Sequence, residues 1–544
     1  IQYRCWSTND RCTSSPSTTT TDNDHTSDAV LLNTFVIRKK RCKVYFHRGT
    51  LIWETERAPY SEYAIIIAAR WTLPLTDVLA AHYGNGEDEE ISMGNVDEKV
   101  FSPTSFTIHY AARGAKNKWS HHTVTMSHTD SRQVGSWVKT IRNYLTGLTN
   151  RPRKIMFFVN PFGGKKRGLK IWEKEVQPLL TLAGIETRSM VTERAGHIRD
   201  TLLKIENLSN FQAVACVGGD GTFAEVFNGL VMRTVKDKDI DPNDPEIILP
   251  PPKLPVGVIP SGSTDTVAYS LHGTIDVQTA VLHIIFGDTI GLDLSSVHSE
   301  ESLLRLYASM LSYGYLGDVI KDSEKFRWMG PQRYDYSGFK KIIANKGYEG
   351  EIKLLSDPCH PASSTKCTEN CTRCIEHTRN NDCDKEIARW LTVRGKFFMV
   401  NGANVSCACD RSPMGFSPHC HVGDGCVDLI LIRHTSFFNN IRVLLRLSSK
   451  NKNLYDLPFV EVYRAREFTF QPLPSVINIP SDTADQINRS NGSARSSLPR
   501  GNSVWNCDGE VIGDSRVKIR VHCQLLKVYT RRSQDMIEDT SCFC

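Results

Sequence analysis

Short alternating runs of apolar and polar residues fill the chain from residue 29 to residue 150. Runs such as Cys42–Phe46, Tyr63–Ala68 and Phe106–Tyr110 have the period of two that is typical of half-buried strands. An amphipathic helix is predicted after them by the spacing of Val134, Trp137, Val138, Ile141 and Leu145. Residues 1–28 are rich in Ser, Thr and Asp without an apolar period, which predicts a disordered arm.

Apolar, β-branched runs alternate with helical patterns from residue 151 to residue 288. The predicted strands are Ile155–Val159, Ile185–Val191, Phe211–Val217 and Val256–Ile259, and each precedes a segment of helical period. This βαβαβαβα order predicts a doubly wound parallel sheet, with the Asp- and Pro-rich segment 237–252 as a surface loop.

Extended runs dominate from residue 289 to residue 532, where the helical period fades. Leu304–Tyr313 and Val517–Tyr529 are examples, and the whole region predicts an antiparallel β-sandwich. Two inserts interrupt it: a cysteine-bearing loop at 357–385 and a Ser-, Asn-, Pro- and Arg-rich linker at 471–503. Ser436–Lys452 is predicted to be a packing helix, and binding of calmodulin or of a membrane surface is its alternative interpretation. Residues 533–544 form a tail.

The amino-acid composition limits the kinds of molecule that the chain is expected to bind. Lys and Arg number 66 against 60 for Asp and Glu, a net charge of +6, which is too mild to indicate nucleic-acid binding and is compatible with an anionic membrane face. No apolar run reaches the length of a membrane-spanning helix, and the N-terminus lacks a signal-peptide pattern. Seventeen cysteines, an odd number and too few for a disulfide scaffold, predict a reduced intracellular protein.

Three glycine-bearing turns each follow a predicted strand. They are the first glycine turn, Asn160–Lys165; the second, Gly218–Thr222; and the third, Ser261–Asp265. Because the carboxyl ends of parallel strands meet at one edge of a sheet, the three turns should converge there. Glycine allows close approach of a phosphate to main-chain N–H groups. Asp220 would repel a phosphate, so it needs a cation or a proton; an ordinary helix cap is the alternative.

With these turns the chain resembles the diacylglycerol kinase-like lipid kinases, which include sphingosine and ceramide kinases. Ser261–Asp265, Lys321–Trp328 and Trp505–Glu510 are similar to the ceramide kinase branch of that family. The resemblance implies an N-terminal β-barrel similar to a pleckstrin-homology (PH) domain, an α/β nucleotide-binding domain and a C-terminal β-sandwich. It also implies transfer of the ATP γ-phosphoryl group to the primary hydroxyl of ceramide, with Mg²⁺. A sphingosine or diacylglycerol kinase and a catalytically silent membrane-binding relative are the alternatives.

The resemblance also implies roles for individual residues. Asp220 would be the general base toward the lipid hydroxyl. Arg327 and Arg333 would contact phosphates, and Asp508 would hold Mg²⁺ through water, since magnesium dehydrates reluctantly. The implied nucleotide contacts are Asn160, Pro161, Phe162, Thr192, Glu193, Arg194, Ala195, Gly196, Glu225, Ser261, Gly262, Ser263, Arg327, Arg333, Asp508, Gly509 and Glu510. The implied lipid contacts are Gly218, Gly219, Asp220, Gly221 and Asp318.

Two cysteine groups have different predicted roles. Cys367, Cys371 and Cys374, followed by His377 and Cys383, favour a structural Zn²⁺ site over free thiols, with a disulfide as the third alternative. The ceramide kinase branch carries a similar cysteine cluster. Cys407, Cys409, Cys420 and His421 form a looser group, for which no metal is predicted.

The implied partners are ceramide in membranes, a phosphoinositide or anionic lipid surface contacted by Arg38–Lys43 of the PH-like domain, and calmodulin as a further candidate. No nucleic-acid partner is expected. The predicted location is cytoplasmic and peripheral on membranes, at the Golgi or plasma membrane.

The charge of the lipid amine separates two of the alternative substrates. Sphingosine carries an ammonium, which requires a paired carboxylate when buried. Sphingosine kinases place an aspartate two residues after the position matched by Asp318, whereas this chain has Ile320 there. Ceramide has a neutral amide, for which Asp318 and nearby backbone would suffice. Asp322 is the competing group, because on a predicted flexible turn it could reach an amine.

Overall fold

The computed structural model describes residues 31–56, 70–84, 103–330, 332–356, 389–409, 412–474 and 502–531, without the side chain of Arg327. The predicted arm 1–28, the predicted strand Tyr63–Ala68, the cluster around Cys371 and most of the linker lie outside these residues.

The N-terminal domain is one antiparallel sheet and a helix. Its elements are β1 (Leu31–Ile37), β2 (Lys40–His47), β3 (Thr50–Thr55), β4 (Arg70–Pro74), β5 (Val78–Tyr83), β6 (Ser105–Arg113), β7 (Trp119–Ser127) and α1 (Ser131–Gly147). The strand order is β4-β3-β2-β1-β7-β6-β5, and the described strands do not pair β4 with β5, so closure into a barrel stays a prediction. Asp130 caps α1 by accepting from Arg132 N. The predicted face of α1, centred on Trp137, is buried against Phe35 and Phe106.

The middle domain has the predicted parallel sheet. Its strands β8 (Lys154–Val159), β9 (Glu186–Val191), β10 (Ala213–Gly218) and β11 (Val256–Pro260) lie in the order β9-β8-β10-β11. Its helices are α2 (Gly168–Ile171), α3 (Gln177–Leu182), α4 (His197–Lys204), α5 (Asp220–Asp237), α6 (Thr266–His272) and α7 (Val277–Phe286), with a π-helical turn at Trp172–Val176. All residues of β10 are buried, as expected for a strand covered by helices on both faces.

The C-terminal domain is built mainly from antiparallel strands. These are β12 (Thr289–His298), β13 (Leu303–Tyr307), β14 (Met310–Gly314), β15 (Tyr348–Ser356), β16 (Arg389–Ala403), β17 (Val427–Arg433), β18 (Val460–Pro472), β19 (Trp505–Cys507), β20 (Glu510–Ile512) and β21 (Val517–Tyr529). Long strands β16 and β18 each pair with both β15 and β17, which closes a ring of four strands. β21 pairs with β12 and, through Val528 and Val256, with β11, so it joins this domain to the parallel sheet.

Three expectations for the C-terminal domain were wrong. The helical period does not fade: α8 (Tyr315–Ser323) and α9 (Gln332–Ala344) are helices that the sequence did not predict. α10 (Phe437–Leu447) confirms the packing helix predicted within Ser436–Lys452. α9 was missed because it exposes Tyr336, Phe339 and Ile343 and buries Ser337, so its apolar residues do not mark its buried face. Leu304–Tyr313 is two strands separated by a turn. The linker is shorter than 471–503, since β18 reaches Pro472 and Ser503 is buried.

The N-terminal and middle domains share an apolar core. Trp119 of β7 is buried against α7, where its ring meets Phe286 edge to face at a centroid distance of 5.5 Å and its main-chain N–H donates to Thr279 Oγ1 at 2.9 Å. The two domains are therefore packed together rather than merely tethered. Within the described part of the chain, no helix has both the length and the apolar character needed to cross a bilayer.

Candidate active site

The three glycine turns meet at the carboxyl edge of the parallel sheet, as the strand order requires. Gly164 has a φ of +52°, and a Cβ built there would lie 2.5 Å from Gly262 O. A Cβ on Gly219 would lie 2.9 Å from the Cα of Gly262. A side chain at either position would collide with the neighbouring turn, so glycine is needed for the three backbones to touch. The predicted convergence is confirmed.

Asn160 connects the first glycine turn to the second. Its Nδ2 donates to Thr222 Oγ1 at 2.8 Å, while its Oδ1 accepts from the main-chain N–H of Phe162 at 2.9 Å and of Gly163 at 3.2 Å. Asn160 thus fixes the shape of the turn from inside. The ring of Phe162 is 63% exposed and stands at the mouth of the site.

Ser261, in the third glycine turn, holds a buried hydroxyl without a hydrogen-bond partner among the described residues. A Cβ built on Gly168, at the start of α2, would lie 2.1 Å from Asn160 O and 3.7 Å from this Oγ, so α2 packs directly against the first glycine turn here. Buried hydroxyls are normally paired, because an unmade hydrogen bond costs about 1–3 kcal/mol. A hydroxyl that lacks a partner at the point where three glycine turns meet is a candidate donor to a phosphate oxygen.

Asp220 joins the second glycine turn to α6. It begins α5, and its Oδ2 accepts from Thr266 N at 3.1 Å and its Oδ1 from Val267 N at 2.9 Å, the first two N–H groups of α6. Burial raises the pKa of Asp220, the two N–H groups act in the opposite direction, and the charge of Asp508 raises it further. Asp220 is therefore not an ordinary cap of its own helix, where Gly219 is the N-cap and no side-chain cap bond forms; its carboxylate caps α6 instead. A carboxyl of raised pKa at this edge also suits proton transfer.

Asp265 is a second acid at this edge, and the sequence analysis assigned it no role. It is 8% exposed, has a φ of +53°, and its Oδ1 accepts from Gly262 N at 2.9 Å. Burial raises the pKa of Asp265 to about 7, and the charge of Asp220 also raises it. The sequence contained one signal for this role: Asp265 lies in the third glycine turn and Asp220 in the second. Two acids on adjacent turns at one edge of a sheet must lie near each other.

The loop after β9 is tied to α5. Thr192 is buried, and its N–H donates to Val159 O at 2.9 Å. The N–H of Gly196 donates to Glu225 Oε1 at 3.1 Å, so two separately predicted parts of the site are brought together. The N–H of Glu193 donates to His197 Nδ1 at 3.1 Å. The side chain of Arg194 extends outward from this loop and pairs with Asp200 on α4.

Asp508 and Gly509 are the two central residues of the hairpin between β19 and β20, with φ of +46° and +91°. Asp508 is nearly buried, and its Oδ1 accepts from the N–H groups of Ser309 and Met310, both at 3.0 Å, while Oδ2 accepts from Ala308 N at 2.8 Å. Asp508 thus shapes the turn between β13 and β14, a role that the sequence did not suggest. Because a carboxylate oxygen can accept two bonds, Oδ2 could also hold a magnesium-bound water.

Glu510 forms an ion pair with Arg305 on β13, a residue that the sequence analysis did not single out. Among the described residues, no group of three or more His, Cys, Asp or Glu side chains is arranged to hold a metal ion.

Helix α8 carries the predicted lipid-side residues. Asp318 Oδ1 accepts from Ser503 Oγ at 2.7 Å, and its Oδ2 accepts from the hydroxyl of Tyr348. Neither partner could be predicted from the sequence, because both are distant from Asp318 in the chain. Asp322 was expected on a flexible turn, and this was wrong. It lies in α8, is 5% exposed, and pairs with Lys325 and Lys340, each at 3.5 Å.

The two predicted phosphate-contacting arginines follow α8. Arg333 lies in the first turn of α9, where its Nη2 donates to the hydroxyl of Tyr334 at 2.6 Å and lies 3.8 Å from Glu324 Oε1. Arg327 lies in the 3-10 segment Glu324–Met329, and its side chain is outside the described atoms. Neither position tests whether the two arginines contact phosphate, so these contacts stay predictions.

Comparisons with known proteins agree with this geometry. Family models match three segments: "Ceramide kinase PH domain" at residues 31–141, "Diacylglycerol kinase catalytic domain" at 154–297 and "Ceramide kinase C-terminal domain" at 307–544. Ceramide kinase of Mus musculus is 38% identical over 91% of this chain and 96% of its own length, and ceramide kinase of Homo sapiens is 38% identical over 91% and 95%.

More distant proteins were also found. The ceramide kinase-like protein of Homo sapiens is 30% identical over 79% of this chain and 78% of its own length. A putative diacylglycerol kinase from Bacillus anthracis str. Sterne, known as a crystal structure, is 14% identical over 70% of this chain and 96% of that chain, with a TM-score of 0.44.

Proposed function

This chain belongs to the ceramide kinase family, and on that premise we propose that it is an ATP-dependent lipid kinase that converts ceramide to ceramide 1-phosphate. The observation that carries the proposal is the position of Asp220. Its carboxylate lies where three glycine turns converge, at the start of α6, with the buried acid Asp265 beside it. A site that cradles phosphates and contains a carboxyl of raised pKa is suited to moving a phosphoryl group onto a hydroxyl.

The glycine turns are proposed to bind the nucleotide phosphates. Main-chain N–H groups of the turns and the unpaired hydroxyl of Ser261 would donate to phosphate oxygens, and Asn160 would keep the first turn in shape. The loop 192–196, held by Glu225, would lie on the adenosine side. Magnesium, when bound, neutralises charge on the transferring phosphates, and Asp508 would hold it through water.

Asp220 is proposed to accept the proton of the primary hydroxyl of ceramide. The hydroxyl oxygen then forms a bond to the γ-phosphorus, the bond between that phosphorus and the β,γ-bridging oxygen breaks, and ADP leaves. Because burial raises the pKa of Asp220, its carboxylate is a better proton acceptor than an exposed aspartate. The N–H groups of Thr266 and Val267 would keep it oriented while it accepts the proton.

The lipid head group is proposed to bind between the second glycine turn and α8. Asp318, fixed by Ser503 and Tyr348, could accept a hydrogen bond from the amide N–H of ceramide. The protein would reach this lipid at a membrane surface, in line with its PH domain match. A phosphoinositide or other anionic head group would contact the β1–β2 turn, where Arg38 and Lys39 stand at φ of +49° and +66°.

Two further proposals concern partners and location. Calmodulin is a candidate partner of α10, since this helix packs through Val443 and Leu447 and exposes Phe438 and Leu445. The membrane visited would be that of the Golgi or the plasma membrane.

The test of the proposed function is a lipid-kinase assay with labelled ATP. We expect Mg²⁺-dependent labelling of ceramide in mixed micelles, stronger than that of diacylglycerol or sphingosine. Parallel samples with calcium and calmodulin test the calmodulin proposal, which predicts a change in rate. Labelling of no lipid by a folded, ATP-binding protein would favour the catalytically silent alternative; preferential labelling of diacylglycerol would assign the chain a different substrate.

The cysteine cluster is proposed to hold one structural zinc ion through Cys367, Cys371 and Cys374 with a fourth ligand. Elemental analysis of the purified protein should find about one zinc per chain, because three to four ligands bind one tetrahedral ion. Cys371→Ser should release the metal and lower the yield of folded protein, whereas Cys523→Ser, a change at an exposed cysteine of β21, should do neither. Fully active protein without zinc would leave only free thiols or a disulfide.

A further inference from the structure

A cavity of about 360 Å³ lies between the N-terminal domain and the middle domain, within the range of about 300–1,000 Å³ that is usual for small-molecule sites. One wall is formed by β5 and the C-terminal half of α1. The other wall is formed by the connection into β8 and by the turn Leu182–Ile185 between α3 and β9. We call this cavity the interdomain cleft. None of the predicted site residues lines it.

The charged side chains among the described lining residues of the cleft are basic. The lining includes Arg142, Arg151, Arg153 and His82, and none of the described residues that line it is an Asp or Glu. Guanidinium groups present paired N–H donors that match the oxygens of phosphate and carboxylate. A concave surface to which three arginines contribute is complementary to an anion with several oxygens.

Main-chain carbonyl groups of the N-terminal domain hold the three arginines in place. Arg142 Nε donates to Ala81 O at 2.8 Å, Arg151 Nη2 donates to Thr76 O at 2.6 Å, and Arg153 Nη2 donates to Thr146 O. Arg142 also lies over the ring of Tyr83, at 5.3 Å from its centroid. Arg151 and Arg153 thus reach back from the connection to β8 toward the N-terminal domain. The cleft exists as a site only while the two domains are packed together.

The cleft is separate from the basic β1–β2 turn. Leu75 N, one residue before Thr76, donates to Gly49 O in the turn between β2 and β3. That turn is at the far end of β2 from Arg38 and Lys39, and a strand of this length spans roughly 25 Å at 3.3 Å per residue. An anion bound in the cleft would therefore not occupy the predicted head-group site.

We propose that the interdomain cleft binds a phosphate-bearing anion through Arg142, Arg151 and Arg153, and that this ligand stabilises the packing of the N-terminal domain on the catalytic domain. The ligand class is a polyphosphorylated small molecule or the equivalent phosphorylated head group of a lipid. Because the site is built from both domains, ligand binding and domain packing are linked, and each favours the other.

The first measurement uses the unaltered full chain. We expect inositol hexakisphosphate, used as the soluble probe, to bind in titration calorimetry and to slow amide hydrogen exchange at residues 79–82 and 182–185. Vesicles that contain phosphatidylinositol 4,5-bisphosphate are the second arm. Protection of the cleft by the soluble probe alone assigns a soluble ligand, and protection by both probes assigns the shared head-group chemistry. Protection confined to residues 38–41, or no binding of either probe, would overturn the proposal.

Variants separate the cleft from other basic surfaces. Arg142→Gln and Arg151→Gln should each weaken binding of the soluble probe about tenfold to a hundredfold, as expected for loss of a charge-assisted pair. Arg132→Gln is the matched control on α1, since its side chain is 91% exposed and outside the cleft. Arg38→Gln with Lys39→Gln should reduce vesicle binding without changing affinity for the soluble probe at the cleft.

A further variant covers the case in which loss of an arginine unfolds the domain interface. Ala183→Glu would place a carboxylate in the lining while all three arginines keep their carbonyl partners. We expect it to weaken binding at least tenfold with little change in thermal stability. Unchanged affinity in Ala183→Glu and in both arginine variants would show that the arginines only brace the two domains.

Discussion

Asp220→Asn is expected to lower turnover of ceramide by about two to four orders of magnitude, the usual contribution of a general base. The amide keeps the size of the carboxylate and one acceptor oxygen, but it cannot take the proton of the lipid hydroxyl. The affinity for nucleotide, measured by equilibrium binding, should change little, because the glycine turns and Ser261 remain in place. A variant that keeps most of its turnover would show that Asp220 is not the base.

The cap role of Asp220 needs its own control, since its carboxylate also accepts from Thr266 N and Val267 N. Asp130→Asn removes the charge of a comparable cap at the start of α1, far from the glycine turns. Asp130→Asn should lose about 1 kcal/mol of stability or less, because Asn caps a helix nearly as well as Asp. Asp220→Asn should lose about 1–3 kcal/mol, because its single amide oxygen cannot accept from both N–H groups. Only Asp220→Asn should lose turnover. Equal losses of turnover would assign Asp220 a purely structural role.

The pH profile gives an independent check of the same residue. A base must be ionised to act, and burial raises the pKa of Asp220 above that of an ordinary aspartate. Turnover of the unaltered enzyme should therefore begin to fall, as the pH is lowered, at a higher pH than an exposed aspartate would give. Asp265, whose pKa is raised to about 7, adds a second ionisation near the site. The fall of turnover at low pH should therefore reflect the titration of both aspartates.

The second large effect is expected in the choice between ceramide and sphingosine. Ceramide should be turned over about a hundredfold faster or more, because leaving a buried ammonium without a carboxylate partner costs several kcal/mol. Asp322, the acid that was expected to reach an amine, is buried in α8 and paired with Lys325 and Lys340. Asp318 shares its charge with the hydroxyl groups of Ser503 and Tyr348. It retains acceptor capacity for the single N–H of an amide, but it does not provide the undivided carboxylate that a buried ammonium requires. The measurement is a rate comparison of the two lipids in matched micelles.

Ile320→Asp should narrow that gap by improving sphingosine, and Ile320→Asn is the control that adds polarity without charge. At 100° per residue, Ile320 lies on the opposite side of α8 from Asp318, so the variant adds a second carboxylate rather than replacing the first. An unchanged ratio would mean that the amine does not meet this side of α8. Preference of the unaltered protein for sphingosine would contradict the assignment of ceramide as the substrate.

The parallel sheet and its glycine turns could be predicted from the sequence because their signals are local. A buried strand such as β10 is a continuous apolar run, and the turn that follows it contains its own glycines. Once the strand order is known, the carboxyl edge collects the turns without further information. The same holds for α1, whose buried face was read directly from the spacing of its apolar residues.

Long-range contacts were beyond any local pattern. Asp508 forms the turn Ala308–Met310 across about 200 residues of chain, and Ser503 meets Asp318 across 185. Residues so far apart in sequence meet only because β19 pairs with β14. The sequence could therefore identify Asp508 as a candidate acid but not its hydrogen-bond partners.

The pKa values and charge pairing of the acidic site residues depend on how folding buries them. The sequence alone determined which strands and turns form, and with them that a phosphate-binding edge should exist near Asp220. Only the tertiary structure decided that Asp265 shares this edge and has a raised pKa, that Asp322 is paired inside a helix, and that three arginines line the interdomain cleft. The physical reason is that strand and turn propensities act between chain neighbours, whereas pKa values and charge pairing depend on every group that folding brings within a few ångströms.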